Sequence, residues 1–274
     1  MVSKDVITDP ELIELARKIS ADTGFDILQY KERPLKRRLA VRLRANQLLT
    51  YAQYLQKLKD DPAEYPKLLD ALTINVTKFY RNPETYAAVS SKVLPRLDVQ
   101  TERDSPVHIW SAGCSSGEEP YSLSILWQEY AAGREPARSC KVFATDIDKQ
   151  SLEKAKLGLY DHNSMDEIPD YLISKYFKTG PGSFEVTAQV KRLVEFRYYD
   201  LFEPCPFQGL DLIFCRNVLI YFSRPAQEDI FDNFRNSLKP KGFLVLGKVE
   251  TMFGRNKDHF SVFDAKERIY QLVV

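Results

Sequence analysis

Beyond residue 106 the chain alternates between short apolar runs and helical stretches, and this alternation limits the fold more than any other feature. The runs are VHIWSA (107–112), KVFATDI (141–147), LVEFRYYDLF (193–202), LDLIFCRN (210–217), GFLVLG (242–247) and RIYQLVV (268–274). Helical patterns occupy 119–132, 149–157 and 225–238. Strands joined by helices make βαβ units, whose crossovers cover a mostly parallel sheet on both faces. The expected fold class is therefore α/β. The gap from 158 to 192 is too long for a plain loop. It holds a helical PDYLISKYF (169–177), a turn TGPGS (179–183) and a hairpin pattern FEVTAQVKRLVEF (184–196). These read together as a small β insertion at about 160–197.

The front of the chain is built differently. Leu12, Leu15, Ala16 and Ile19 recur at helical spacing, as do Leu35, Leu39 and Leu43, and Tyr51, Tyr54, Leu55 and Leu58. Residues 1–92 are expected to form an all-α domain, and 93–274 the α/β domain with its insertion. Net charge is +1 overall, but residues 1–98 carry 17 basic against 13 acidic side chains, about +4, and the remainder about −3. That asymmetry suits an acidic partner for the front part. The four cysteines form no CxxC pair and there are only three histidines, so no metal site or disulfide framework is expected, and a reduced cytoplasmic setting fits. The first twenty residues lack a signal-peptide pattern, and no apolar run approaches the ~20 residues of a spanning helix. Any membrane association is expected to be indirect.

Ligands of an open parallel sheet bind beyond the carboxyl ends of its strands. The first strand runs into GCSSGEEP, where Gly113 and Gly117 permit a sharp turn and close approach of backbone. The second strand ends at Asp146, where an acid commonly holds a ribose diol. A dinucleotide site would use GxGxxG and seat a pyrophosphate on the helix N-terminus. Here the spacing is GxxxG, and Glu118 and Glu119 follow at once. Two carboxylates repel a pyrophosphate and suit a cation, such as the sulfonium and amino groups of S-adenosylmethionine. The alternative is that both acids only favour the helix N-terminus.

Four stretches together resemble one family. They are INVTKFYRNPETY (74–86), IWSAGCSSGEEPYSLSI (109–125), FATDID (143–148) and FCRNVLIYF (214–222). They look like the CheR-type chemotaxis receptor methyltransferases, which esterify glutamates of bacterial chemoreceptors with S-adenosylmethionine, and the likeness covers nearly the whole chain. It implies a Rossmann-like, S-adenosylmethionine-dependent methyltransferase domain preceded by an all-α domain, with S-adenosylhomocysteine as product. Cofactor contacts are implied for Asn75, Thr77, Arg81, Gly113, Glu118, Asp146, Asp200, Leu201, Asn217 and Val218. Asp200 stands where the family often has Asn, and the FYR of 79–81 replaces the more usual FFR.

The reaction implied is attack of a carboxylate oxygen on an activated methyl group. A glutamate is already ionised near neutral pH, so no general base is required. Arg81 would clamp a carboxylate, with Tyr221 donating a hydrogen bond nearby. The resemblance also points KERPLKRRLAVRLR (31–44), through Arg38 and Arg42, at acidic receptor helices. It points the β insertion at a receptor C-terminal peptide. The protein would then be cytoplasmic, monomeric and recruited to membrane receptor arrays. A nucleic-acid methyltransferase is disfavoured, because CRNVLIYF replaces the Asp/Asn-Pro-Pro-aromatic loop of base methylation and no aromatic-basic platform is present. A cofactor-sensing domain without catalysis is the other rival. A nicotinamide-dependent oxidoreductase is third, opposed by the Glu pair and the missing GxGxxG.

Overall fold

The computed structural model describes residues 7–73, 75–100, 105–134 and 138–273. Val274, the end of the expected last strand, lies outside them. The chain divides into two compact units: residues 1–74 with 219–229, and residues 75–218 with 230–274.

The first unit is helical. Helix α1 (Pro10–Thr23) starts at Asp9, whose carboxylate accepts from the Leu12 N–H, and ends at Gly24 in the left-handed conformation. It buries the stripe Leu12, Leu15, Ala16 and Ile19. Helices α2 (Glu32–Ala45), α3 (Tyr51–Asp60) and α4 (Glu64–Leu72) follow. Thr50 and Gln53 close a capping box on α3. The packed pairs are α2 with α4 and α1 with α3. The unit is completed from far along the chain. The N–H groups of Lys31 and Ser223 donate to the carbonyls of Tyr221 and Gln29, at 2.9 and 2.8 Å. Phe222 sets its ring edge-on to Tyr30, with centroids 4.9 Å apart.

The second unit begins with α5 (Pro83–Ala88) and α6 (Leu94–Gln100), joined by a π turn. The sequence reading grouped residues 75–92 with the helical domain. The structure counts them with the sheet, because Phe79, Tyr86, Val89 and Val93 enter the same buried cluster as Ile109 and Phe214. There follow β1 (Val107–Ala112), α7 (Glu118–Ala131), β2 (Cys140–Asp146) and α8 (Lys149–Leu157). The insertion comprises β3 (Leu159–Tyr160), α9 (Asp170–Tyr176), β4 (Phe177–Gly180), β5 (Ser183–Val186) and α10 (Ala188–Lys191). The chain then returns through β6 (Val194–Tyr198), β7 (Leu210–Cys215), α11 (Arg224–Ser237), β8 (Leu238–Leu246), β9 (Phe260–Asp264) and β10 (Ile269–Leu272).

The seven-stranded sheet has the order β6-β2-β1-β7-β8-β10-β9. Pairing is parallel from β6 to β8, and β10 runs antiparallel to both β8 and β9. β7 is buried along its whole length, as a central parallel strand covered on both faces must be. The order reverses at β1, so the space beyond the carboxyl ends of β1, β2 and β7 is the ligand position this topology provides.

The insertion folds differently from the expected hairpin. Its sheet has the order β3-β5-β4, and its hairpin is β4–β5, turning where Gly182 has φ +71°. Residues 188–191 are helical, and Val194–Tyr198 pairs in parallel with β2 instead of folding back on β5. Among the described residues, no helix is long and apolar enough to cross a membrane.

Candidate cofactor and catalytic site

β1 ends in the turn Gly113–Gly117, three residues of which take positive φ: Gly113 (+81°), Ser115 (+49°) and Gly117 (+97°). The N–H groups of Gly113 and Cys114 both donate to the Thr145 carbonyl, at 2.8 and 2.9 Å, which draws the turn over the end of β2. A Cβ on Gly113 would lie 2.5 Å from Cγ2 of Val218, and one on Gly117 2.8 Å from Cβ of Ala155. The sequence reading gave these glycines to close approach of a ligand. The structure gives much of that space to protein side chains.

Two acids hold the turn, Glu118 buried and Asp146 half-buried. Asp146 accepts the Ser115 N–H at 2.7 Å through Oδ2 and the Asp148 N–H at 2.9 Å through Oδ1. Glu118 accepts from the hydroxyls of Ser116 (2.8 Å) and Ser164 (3.3 Å). Burial pushes both carboxyls above the usual range, more than their hydrogen bonds pull them down. Their ionised forms are short of compensation, and a cation beside them would supply it.

The neighbouring acid behaves otherwise. Glu119 turns into the core, where it accepts from Ser111 Oγ at 2.8 Å and faces the Arg216 guanidinium at 3.8 Å. Burial again raises its carboxyl, against the pull of Arg216. The Glu pair inferred to face a ligand is thus split, with Glu118 alone on the turn.

The segment carrying Asn75, Thr77 and Arg81 comes to the same place. Asn75 donates to Asp148 Oδ2 at 2.6 Å and accepts from Ser115 Oγ at 3.4 Å. Thr77 is half-buried two residues on. Phe79 is sealed between the rings of Tyr160 and Phe177, both near-perpendicular and within 4.9 Å. The Tyr80 N–H donates to Ser122 Oγ at 3.0 Å. The two aromatics before Arg81 are therefore anchors, and Arg81, half-exposed, donates from Nη1 to the Val76 carbonyl at 2.9 Å.

Asn217 follows β7 with φ +62°, its N–H received by Glu250 Oε2 at 2.9 Å. That carboxylate also receives the Gly247 N–H at 2.6 Å. Asp200 and the buried Leu201 follow β6; the Tyr199 N–H donates to the Asp146 carbonyl at 3.1 Å, and Asp200 Oδ1 accepts from the Phe202 N–H. Gly113, Glu118, Asp146, Asp200, Asn217 and Val218 thus stand on the segments at the carboxyl ends of β1, β2, β6 and β7, and hydrogen bonds tie Asn75 to Ser115 and Asp148 and the Arg81 carbonyl to Arg216.

Three expected residues are counted with the other unit. Tyr221, Arg38 and Arg42 belong to the helical unit. Arg42 is turned inward: its Nε and Nη2 donate to the Glu64 carboxylate, both at 2.9 Å, with Glu64 only 2% exposed. Arg42 is thereby a structural residue of that unit, and its charge is already paired. Sequence reasoning missed Arg216 and Glu250. The only signal for them was their place beyond β7 and β8, Arg216 directly after the first and Glu250 four residues past the second.

A family model described as the CheR methyltransferase SAM-binding domain matches residues 75–269, and one described as the CheR methyltransferase all-alpha domain matches residues 10–73. A chemotaxis protein methyltransferase of Listeria monocytogenes is 32% identical over 242 residues, covering 88% of this chain and 90% of the relative. One from Salmonella typhimurium is 34% identical over 261 residues, covering 91% and 86%. An uncharacterized 104.1 kDa protein of Rhodobacter capsulatus is 32% identical over 255 residues, of which this chain spans 26%.

Proposed function

The chain belongs to the CheR methyltransferase family, with S-adenosylmethionine as its cofactor, and we propose that it transfers the methyl group to glutamate side chains of bacterial chemoreceptors. The observation that carries this reading is the pair of acids, half-buried Asp146 and buried Glu118, clasping one glycine turn at the ends of β1 and β2. Such a pair fits a ribose and a cation and opposes a phosphate.

Bound at this turn, S-adenosylmethionine would supply an electrophilic methyl on a sulfonium sulfur to an already ionised carboxylate oxygen, with the sulfur as leaving group and no proton to be moved. The protein's own residues then have to bind, orient and exclude water. Glu118 and Asp146 would hold the cationic and hydroxyl-bearing parts of the cofactor, with Asn75, Thr77, Asp200, Leu201, Asn217 and Val218 as the further residues to hold it. Arg81 offers a planar fork to a carboxylate, of the incoming glutamate or of the cofactor. Tyr221 donates a hydrogen bond near the acceptor.

Recognition of the receptor helices falls to α2, where Arg38 is the candidate and Arg42 is already occupied. A receptor C-terminal peptide would add to β4, which has β5 alone as ladder partner among the described residues. The protein works as a monomer recruited to receptor arrays.

The test supplies methyl-labelled S-adenosylmethionine with a chemoreceptor cytoplasmic fragment, the same fragment with its acceptor glutamates changed to alanine, DNA and RNA. Label on the first fragment alone is expected. Label on nucleic acid, or undiminished label on the alanine fragment, would contradict the reading.

A further inference from the structure

We propose that Arg216 is a positioning residue that fixes how Arg81 is presented to the acceptor. The proposal rests on the reading of Arg81 as a carboxylate clamp. Arg216 is 6% exposed and follows the last residue of β7. Its Nη2 donates both to the Arg81 carbonyl at 2.9 Å and to Asn82 Oδ1 at 2.8 Å. Its Nη1 lies 3.8 Å from Glu119 Oε2, and the guanidinium sits 5.7 Å from the centre of the Tyr86 ring. Its Nε is buried without a hydrogen-bond partner. A buried cation is costly, and this one directs one nitrogen at two acceptors in a single short loop.

That loop needs holding. Tyr80 and Asn82 both take positive φ, +53° and +62°, so Arg81 is flanked by two residues in a sparsely populated backbone conformation. The Arg81 side chain is tied at its tip to the Val76 carbonyl, and its main chain is tied from beneath by Arg216. The base of the clasp is itself fixed. Glu119 is held by Ser111, and the residue after Arg216 has its N–H received by Glu250. Loosening Arg216 frees the Arg81 backbone while leaving the hydrogen bonds of Asp146 and Glu118 to the glycine turn in place.

Arg216→Lys keeps a charge beside Glu119 but loses the fork. The expected result is a fall of about tenfold in kcat/KM for the receptor fragment, about 1.4 kcal/mol. The Kd for S-adenosylmethionine should stay within about twofold. In an Arg81→Ala background the same change should cost nothing further, since two residues acting through one contact are not additive. A merely structural role would lower the melting temperature and give additive losses. Should Arg216→Lys lose its cooperative thermal transition, Asn82→Gly tests the same clasp, because glycine keeps the left-handed backbone and removes the Oδ1 acceptor. Asn82→Asp, which retains that acceptor, should rescue it. Full turnover in Arg81→Ala alone would overturn the reading of Arg81 and this proposal with it. A loss in Arg81→Ala with fully additive effects of Arg216→Lys would overturn this proposal and leave that reading standing.

Discussion

Glu118 and Glu119 adjoin in sequence and do unlike work: one holds the glycine turn with two serine hydroxyls, the other faces a buried arginine. The sequence presents both as a charge opposed to phosphate, and only the helical rotation between successive residues separates them. Arg216 could not be found that way, because its partners Glu119 and Arg81 lie on distant segments that only the fold unites. The raised carboxyls of Glu118 and Asp146 set a pH dependence. In the ligand-free protein each keeps its proton to a higher pH than an ordinary carboxyl, whereas a cationic ligand requires the ionised form. Cofactor affinity should therefore weaken as pH falls through those raised values, by up to about tenfold per unit per group. Calorimetric titration between pH 8 and pH 5 would measure it, with Glu118→Gln flattening the profile. A flat profile for the unaltered protein would contradict the assignment. Folding takes the opposite sign: these two groups stabilise the ligand-free protein while protonated, and that contribution is lost as pH rises through the same window.

At the scale of elements, the buried strands were the most legible. β1, β2 and β7 are short, largely apolar runs, and their expected and observed bounds differ by two residues at most. β9 was missed because it is an edge strand whose Ser261 and Val262 are exposed, leaving no clean alternation to read. The hairpin over 184–196 was misplaced because its pattern joins one strand of the small sheet, a four-residue helix and one strand of the large sheet. On α2, Arg42 stands three residues after Leu39 and seven after Leu35, on the buried stripe, so helical spacing already directed it inward. Burial raises the Glu64 carboxyl, but hydrogen bonds from Arg42, Tyr54 and Asn46 outweigh it and hold the carboxyl below its ordinary range. Arg42→Ala leaves that carboxylate unpaired and should cost about 3 kcal/mol in urea denaturation. Arg38→Ala should leave stability within about 1 kcal/mol and raise KM for the receptor fragment several-fold at low salt. Unchanged stability in Arg42→Ala would contradict the internal role given to it.

At the scale of the molecule, the two family matches meet at residues 73 and 75, where the structural division between the units also falls. The helical unit takes back residues 219–229, so Tyr221 sits three residues past Val218 yet counts with the helices. Nothing in a linear reading marks that return, because LIYFSRP continues smoothly from the strand before it. The cofactor half of the account was readable from the glycine turn and the acids at the ends of the first two strands. The acceptor half rests on Arg81 and on the chemistry of the bond formed. That bond is the most direct test. Label transferred from methyl-labelled S-adenosylmethionine to a chemoreceptor fragment should be released as volatile methanol in mild base, as a carboxyl ester requires. Label that stays on the protein in base would place the methyl on nitrogen, sulfur or an alcohol, and would contradict the carboxylate acceptor on which the account depends.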